Sequence, residues 1–268
     1  QRQMCIRDSS KGDAMSLLNG LSALFKTHRG TTKPELTADI EARLKRWQAL
    51  PKVSLDRPFE NTDFVVLDLE TSGFSFKKDH VIAIGACKLQ QGRIPLAQSF
   101  QIILKQEQSS SKDNILVHHI SDSEQRSGIE PAEALMQFLE YLGKDPLIVY
   151  HVGFDQPMLD KALKQYLGIE LKQHTWFDVA FVAPIFLPKV STKRQSLDFW
   201  STHFNINNPH RHSAVFDAIA TAEVMQAVMK QALKENSAKH IGATLSMQTL
   251  YKMQRRAMKI HRQLYGTA

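Results

Sequence analysis

The stretch from Phe64 to Gly73, FVVLDLETSG, places two carboxylates on a segment that is otherwise mostly apolar. Side chains of a strand alternate between its faces, so Asp68 and Glu70 share one face with Phe64 and Val66. A strand that is apolar on both faces is normally buried at the centre of a sheet. The stretch contains no Lys or Arg, so these two acids need a partner from elsewhere in the fold.

Two further carboxylates lie where they could join this pair. Asp155 follows the buried-strand pattern PLIVY at 146–150 and lies at the start of a helix, a location that ligand sites in α/β sheets favour. Asp217 lies on the helical pattern HRHSAVFDAIATAEV, whose apolar residues predict close packing on the sheet. If Asp217 and Asp155 converge with Asp68 and Glu70, each buried negative charge needs a counter-charge or a proton.

A pair of divalent cations would meet that need. Ligand sets made only of oxygen select hard ions such as Mg²⁺ or Mn²⁺ over zinc. Two such ions about 4 Å apart are the usual apparatus for in-line attack on a phosphodiester. His212 lies five residues before Asp217, and a histidine there could accept the proton of the attacking water without being a metal ligand.

Three motifs, VVLDLETSG, IVYHVGFDQPML and HSAVFDA, together resemble the DEDDh family of 3′–5′ exonucleases, which has a ribonuclease H-like fold. Within that family they are most similar to the epsilon-type proofreading exonucleases of bacterial DNA polymerase III. The resemblance covers roughly residues 62–230, with softer matches at VIAIGACKL, ILVHHISDSE and SLDFWSTHFNI. One motif alone is a weak signal, but three in this order and spacing are specific.

The resemblance implies roles for individual residues. Five positions match the family's catalytic groups, which are four metal-binding carboxylates and a general base: Asp68, Glu70, Asp155, Asp217 and His212. Four further positions fall where the family contacts its substrate: Leu69, Thr71, His118 and His151. The family often has Asn at the position of His151, so local hydrogen bonding and substrate preference are open here. Packing roles for His118 and His151 also stay open.

Cysteine usage and hydropathy exclude several protein classes. Cys5 and Cys87 are too few for a disulfide framework, and no Cys/His spacing typical of a zinc site occurs. This usage predicts a reducing, cytoplasmic location. The longest apolar runs are only a few residues, so no membrane-spanning segment is predicted.

The net charge of +7 is concentrated near the C-terminus. From Lys239 onward the chain has six basic residues and no acidic ones, whereas residues 11–238 contain 26 of each and sum to zero. Attraction to a polyanion is therefore expected at the tail rather than over the whole protein.

Composition and pattern divide the chain into four expected parts. The first begins QRQMCIRDS, which resembles a sequencing adapter read through as protein and is expected to be non-native. The second has Ile40, Leu44 and Trp47 at helical spacing. In chain order the parts are the adapter-like segment (residues 1–10), a helical extension with a linker (11–60), the exonuclease domain (61–234) and a basic amphipathic helix (235–268).

The main part is expected to be an α/β domain with the ribonuclease H-like fold. Strands are predicted at 64–69, 81–89, 94–104 and 146–150, and helices at 131–142, 155–167, 177–183, 196–204 and 213–234. The first three strands follow in quick succession, which predicts an antiparallel meander. Strands that then alternate with helices predict a mixed central sheet flanked by helices, with helical N- and C-terminal extensions.

The C-terminal helix has three open interpretations. Apolar residues from Met247 to Leu264 recur at three- and four-residue steps, and the basic residues lie off that stripe. The helix could pack on this protein's own surface, follow a nucleic-acid backbone, or dock on a protein partner such as a polymerase.

The expected function is metal-dependent 3′–5′ exonucleolytic cleavage of single-stranded DNA, with release of nucleoside 5′-monophosphates, in proofreading or repair. The cofactors implied are two Mg²⁺ or Mn²⁺ ions. One alternative is an RNA 3′–5′ exonuclease similar to ribonuclease T or oligoribonuclease. Another is a non-catalytic module that binds nucleic acid or docks on a polymerase.

Overall fold

The structure is a computed structural model that describes residues 34–238 and 245–266. The adapter-like segment, with Cys5, lies outside these described residues. No helix in the described ranges is long and apolar enough to cross a bilayer. The helices and strands are, in chain order, α1 (Ala38–Ala49), β1 (Asp63–Thr71), β2 (Val81–Gln90), β3 (Phe100–Ile103), α2 (Lys112–His118), α3 (Asp122–Arg126), α4 (Pro131–Leu142), β4 (Leu147–Val149), α5 (Val152–Leu167), β5 (Trp176–Asp178), α6 (Val179–Phe186), α7 (Leu197–Phe204), α8 (Ala214–Ala238) and α9 (Met247–Tyr265).

The described strands form one mixed sheet in the order β3-β2-β1-β4-β5. Strands β1, β2 and β3 pair antiparallel, whereas β4 is parallel to β1 and β5 is parallel to β4. Strand β1 is central, as its two apolar faces predict. Val65, Leu67 and Leu69 pack into one core cluster with α4 and α5, and Phe64 and Val66 pack into a second one with α6 and α8. Asp68 and Glu70 therefore lie on the α8 side of the sheet.

The mixed sheet and the antiparallel meander predicted from the sequence are confirmed, with two local differences. Strand β3 begins only at Phe100, because residues 96–98 form a short 3₁₀ turn after Pro95. Strand β5 was not predicted, and the helix expected from 177 begins at Val179 because Trp176–Asp178 pairs with β4. Three residues are too few to show a strand's alternating pattern.

Helix α1 packs on α4. Its Ile40, Leu44 and Trp47 are buried, as their helical spacing predicts. Arg43 donates to Glu133 at 2.7 Å and to both carboxylate oxygens of Glu140 at 2.7 and 2.9 Å. A guanidinium that bridges two carboxylates fixes the approach of the two helices.

Helix α8 crosses β1 and β2 and begins directly against Gly85. Gly85 lies opposite Asp68 in the β1–β2 ladder. A Cβ atom at Gly85 would lie 2.1 Å from the carbonyl carbon of Ala214 and the amide nitrogen of Val215. No side chain fits between this strand and the first turn of α8. The missing Cβ therefore decides how closely α8 approaches Asp68.

Gly85→Ala should lower both stability and any activity of the carboxylate cluster, because the strand or the helix must move to accept the methyl group. We expect a loss of at least about 2 kcal/mol in the free energy of unfolding, measured by urea denaturation. Gly153→Ala is the matched control, because a Cβ there meets no atom within 4 Å. Wild-type stability in Gly85→Ala would contradict the close approach described here.

Candidate active site

Strand β1 brings Asp68 and Glu70 to one end of the sheet, and the first turn of α8 adds Asp217. One carboxylate oxygen from each of these three residues lies within 4.8 Å of the other two. Asp217 is buried, and the other two are half-buried. We call these three residues the carboxylate triad.

Asp217 is held by three hydrogen-bond donors from the loop that precedes α8. Asn208 Nδ2 donates to one carboxylate oxygen at 2.5 Å, and the backbone N–H of His212 donates to the other at 3.1 Å. The guanidinium of Arg211 also donates to that second oxygen, and its Nε donates to Asp198 at 2.6 Å. Arg211 is thus a fixed positive charge at the edge of the carboxylate triad.

Burial and repulsion from neighbouring acids raise the pKa values of Asp68 and Glu70. Desolvation is the largest cause for Asp68, and the charges of Asp155, Asp217 and Glu70 raise its pKa further. The same two causes raise the pKa of Glu70 to about 8, where Asp217 is the main repelling charge. The positive charge of Arg211 opposes both shifts. Protons therefore compete with cations for this site near neutral pH.

Asp155 flanks the carboxylate triad from the first turn of α5. It does not belong to the tight group of oxygens, but its charge raises the pKa of Asp68 and Glu70, so it lies within electrostatic reach. Burial, with Asp178 as the next cause, raises the pKa of Asp155 to about 8. The sequence led us to expect four converging carboxylates, and the structure gives three in close contact with the fourth beside them.

Asp178 is a buried acid at the carboxyl end of β5 that organises this end of the sheet. Its two carboxylate oxygens accept from the N–H groups of Val152 and Ala180 at 3.0 and 2.9 Å. It therefore caps the starts of α5 and α6 together, while His151 makes no side-chain capping bond at the start of α5. Burial raises the pKa of Asp178 to about 7.

The donor set of the carboxylate triad fits a divalent cation. All of its ligand atoms are carboxylate oxygens, which hard ions prefer, and a cation would offset the repulsion that raises the pKa values. Asp155 could complete the set from the opposite helix. No nitrogen or sulfur ligand atom belongs to the triad, which argues against a structural zinc site among the described residues.

His212 lies at the rim of the site with its side chain exposed. Its backbone has φ +66°, in the left-handed region that non-glycine residues seldom adopt. This turn directs the backbone N–H of His212 back to Asp217, five residues later. Strained backbone of this kind costs about 1 kcal/mol or more and is often found at functional sites.

Leu69 and Thr71 lie beside the carboxylates but have structural contacts of their own. Leu69 is buried in the core cluster on the other face of β1. Thr71 is buried after an irregularity in the β1–β2 ladder, and its hydroxyl donates to the carbonyl of Gly73 at 2.9 Å. The Leu69 side chain is directed away from the triad, so any substrate contact at this residue would use its backbone.

The two predicted substrate histidines differ in their surroundings. His118 is buried at the end of α2; its Nδ1 accepts from the N–H of Ile120 at 3.0 Å, and its Nε2 lies 3.2 Å from the Ser110 hydroxyl. Both ring nitrogens are engaged, which favours the packing alternative for His118. His151 instead accepts through Nδ1 from Arg194 at 2.9 Å. Desolvation, followed by the Arg194 charge, lowers its pKa to about 4, so His151 is neutral at pH 7.

Sequence reasoning missed four residues of this region: Asn208, Arg211, Arg194 and Asp178. Asp178 carries the same signal as Asp68, a carboxylate inside an apolar run, here TWFDVAFVA. Arg211 lies between two histidines in a polar loop, which gives no indication of its partner. Arg194 has no local signal, because its partner His151 lies 43 residues away. Asn208 is only nine residues from Asp217, but an Asn in a polar loop gives no indication of its partner.

The raised pKa values predict how stability depends on pH. The folded protein retains protons on Glu70 and Asp155 up to about pH 8, whereas the unfolded chain releases them near pH 4. The free energy of unfolding should therefore fall as pH rises from 6.5 to 8. Histidines with lowered pKa values, such as His151 and His174, make the free energy of unfolding rise with pH, but they do so below this pH range.

Denaturation curves of the cation-free protein at several pH values would measure this slope. Glu70→Gln should make the slope shallower, and added Mg²⁺ should remove most of it by binding the ionised form. Stability that rises between pH 6.5 and 8 in the cation-free protein would be incompatible with the carboxylate cluster described above.

Arg211 should compete with a cation for Asp217. At pH 8.5, above the pKa of about 8 for Glu70 and Asp155, we expect Arg211→Gln to tighten Mn²⁺ binding roughly fivefold, or about 1 kcal/mol, in calorimetric titrations. The matched control is Arg126→Gln, because Arg126 pairs with Asp122 on the surface of α3. Unchanged or weaker Mn²⁺ binding in Arg211→Gln would show that the two cations do not compete.

Comparison with known proteins places these features in a family. The model of the RNase T family, described as Exonuclease, matches residues 65–225. The DNA polymerase III PolC-type of Clostridium perfringens is 30% identical over 204 residues, which are 74% of this chain and 13% of the polymerase. The corresponding polymerase of Bacillus subtilis is 26% identical over 184 residues, 69% of this chain and 12% of the polymerase. The chain thus spans about an eighth of the length of these curated relatives.

Solved structures share the fold at low sequence identity. E. coli Exonuclease I in complex with a dT13 oligonucleotide has a TM-score of 0.56 at 15% identity, over 66% of this chain and 43% of that one. Exonuclease X in complex with 5′ overhanging duplex DNA has a TM-score of 0.53 at 15% identity, over 71% of this chain and 99% of that one. The ribonuclease H-like exonuclease fold and the family resemblance expected from the three motifs are therefore confirmed. With residues 65–225 matched by its model, this chain belongs to the RNase T exonuclease family.

Proposed function

We propose that this protein is a metal-dependent 3′–5′ exonuclease that removes nucleoside 5′-monophosphates from single-stranded DNA ends. The observation that carries the proposal is the carboxylate triad, whose oxygens lie within 4.8 Å of one another at the end of a buried strand. Matched relatives that are DNA polymerases favour DNA as substrate and a role in proofreading or repair. A cytoplasmic location, predicted from cysteine usage, is part of this proposal.

The proposed cofactors are two Mg²⁺ or Mn²⁺ ions held by the triad and Asp155. When bound, such ions neutralise the charge of the scissile phosphate and favour ionisation of the attacking water. His212 would accept the proton of that water, since its exposed ring lies at the rim and is free of the bonds that hold Asp217. Arg211 would offset negative charge next to Asp217.

Substrate contacts are proposed at Thr71, at His151 and through the backbone of Leu69. His118 is proposed from the family resemblance alone, because both of its ring nitrogens already have partners. His151 is the best supported of these, because it lines a cleft next to Asp155. Its Nδ1 accepts from Arg194, so its Nε2 carries the proton of the neutral ring and can donate to a phosphate or base oxygen.

Hydrolysis of RNA 3′ ends is the second candidate function, because the matched family model carries the name RNase T. A non-catalytic module that binds nucleic acid or a polymerase is the third. The retention of all five predicted catalytic residues argues against it, since binding alone needs no cluster of mutually repelling acids. A polymerase as protein partner is proposed from the PolC-type relatives.

Asp217→Ala should abolish cleavage while binding of a single strand remains measurable by fluorescence anisotropy. His212→Ala should lower kcat by roughly 10²- to 10⁴-fold and leave Mn²⁺ affinity nearly unchanged, because it removes a proton acceptor and not a ligand. Glu223→Gln, farther along the same helix, is the matched control for the loss of one carboxylate. Near-normal turnover in Asp217→Ala would overturn the assignment.

Labelled oligonucleotides test direction and sugar preference together. Matched DNA and RNA single strands with a 5′ label should shorten one nucleotide at a time in Mg²⁺ or Mn²⁺, and EDTA should stop the reaction. Strands with a 3′ label should release the label at once as a mononucleotide. A ladder produced from the 5′ end would refute the proposed direction, and faster shortening of RNA than of DNA would favour the second candidate function.

A further inference from the structure

A cleft of about 650 Å³ opens beside the candidate active site. Its walls come from the loop after β1, the start of α5 and the C-terminal helix α9. The turn of α5 that contributes Phe154 to the wall also carries Asp155, and Asp178, which caps this turn, lines the cleft, so the cleft lies next to the first turn of α5. We call this cleft the α5–α9 groove. The family match ends at residue 225, so α9 is an addition to the matched region.

Helix α9 packs on the domain and shares its hydrophobic core. Met247 and Leu250 are completely buried in the core cluster that contains α6 and α8. Gln254 is buried at the edge of β5, where it accepts from the N–H of Asp178 at 2.7 Å and donates to the carbonyl of Trp176 at 3.1 Å. The Gln254 amide therefore satisfies the backbone groups that an edge strand leaves open. The next turns of α9 then form one wall of the groove.

The opposite wall exposes aromatic rings. Phe74 is 88% exposed and Phe76 is 48% exposed. Their ring centroids lie 5.9 and 5.7 Å from that of Phe154, so the three rings form one aromatic surface. Exposed aromatic surface next to a nuclease site suits unpaired bases, because every base has a flat face that can stack on it.

The charged groups that line the groove are mainly basic. Arg194 lies beside His151, and its guanidinium carbon is 4.7 Å from the ring centroid of Phe181. Arg262 projects from α9 with an exposed side chain, and α9 as a whole has no acidic residue. The acidic residue that lines the groove is Asp178, and both of its carboxylate oxygens already accept hydrogen bonds from backbone N–H groups. The groove therefore favours an anionic ligand over a neutral or basic one, and its exposed aromatic rings favour a nucleic acid over an acidic peptide.

We infer that the α5–α9 groove binds the single strand upstream of the reacting 3′ end. Bases stack on Phe74 and Phe76, and backbone phosphates contact Arg194 and Arg262. Helix α9 thereby acts as a wall of the nucleic-acid site, which assigns the basic C-terminal helix to strand binding. The inference rests on the proposed function for the chemistry at the strand's end, but strand binding can be measured without cleavage.

Anisotropy titrations of 5′-fluorescein dT20 in EDTA would test the groove directly. We expect Arg262→Ala to weaken binding several-fold and to reduce the slope of log Kd against log salt by about 0.7, as for one lost phosphate contact on a single strand. Arg256→Ala is the matched control: it removes the same charge from an exposed site on the same helix that does not line the groove. Phe74→Ala should weaken binding on the order of tenfold by removing a stacking surface.

Two results would overturn the inference. One is equal weakening in Arg262→Ala and Arg256→Ala, which would mean that α9 contributes only general positive charge. The other is wild-type affinity for dT20 in both Arg262→Ala and Phe74→Ala.

Hydrolysis of thymidine 5′-p-nitrophenyl phosphate separates the groove from the catalytic proposal, because this substrate is too short to reach α9. We expect wild-type rates in Arg262→Ala with this substrate and a raised KM with dT20. If the wild-type protein cleaves neither substrate, the proposed function fails while the dT20 titrations still decide the groove. If it cleaves both and Arg262→Ala has an unchanged KM for dT20, the groove alone is wrong.

Discussion

Repulsion among buried carboxylates is the constraint on which this structure depends. Asp68 and Glu70 on β1 and Asp217 on α8 lie within a few ångströms of one another, and Asp155 adds charge from α5. Burial and repulsion from neighbouring acids raise the pKa values of Asp68, Glu70 and Asp155, which costs stability unless protons or cations are bound. The folded chain must supply enough rigidity and packing to offset that cost. A central strand buried on both faces provides this rigidity.

The geometry of the elements brings these charges together. Parallel pairing of β4 with β1 places the start of α5 beside the end of β1, which brings in Asp155. Gly85 lets the first turn of α8 touch the sheet opposite Asp68, which brings in Asp217. Both helices direct their N-terminal ends toward the acids, where the partial positive charge of the helix dipole favours carboxylates. Arg211 adds a full positive charge at the same place.

Asp178 and Gln254 connect the candidate active site to the C-terminal helix. Asp178 caps α5 and α6 through its side chain, and its backbone N–H donates to Gln254 of α9. The edge of β5 is thereby closed by a side chain from a helix far along the sequence. A displacement of α9 would therefore shift the start of α5 through the bonds from Gln254 to Asp178 and from Asp178 to Val152. A helix held in this way can line a binding groove, because its position relative to Asp155 is fixed.

The family, the mixed sheet with its antiparallel meander, and the residues that supply the candidate chemistry could all be predicted from the sequence. This was possible because a carboxylate pair on a strand apolar on both faces, a helix-opening Asp155, and His212 spaced from Asp217 are local patterns. The three-dimensional fold was needed to show that oxygens of Asp68, Glu70 and Asp217 lie within 4.8 Å of one another, how Arg211 and Asn208 hold Asp217, and that Asp178 joins α5 to α9. The carboxylate triad and the bond from Asp178 to Gln254 depend on helix approach and strand order, and the bonds to Asp217 depend on the path of the loop before α8. The periodicity of a single segment carries no information about any of these.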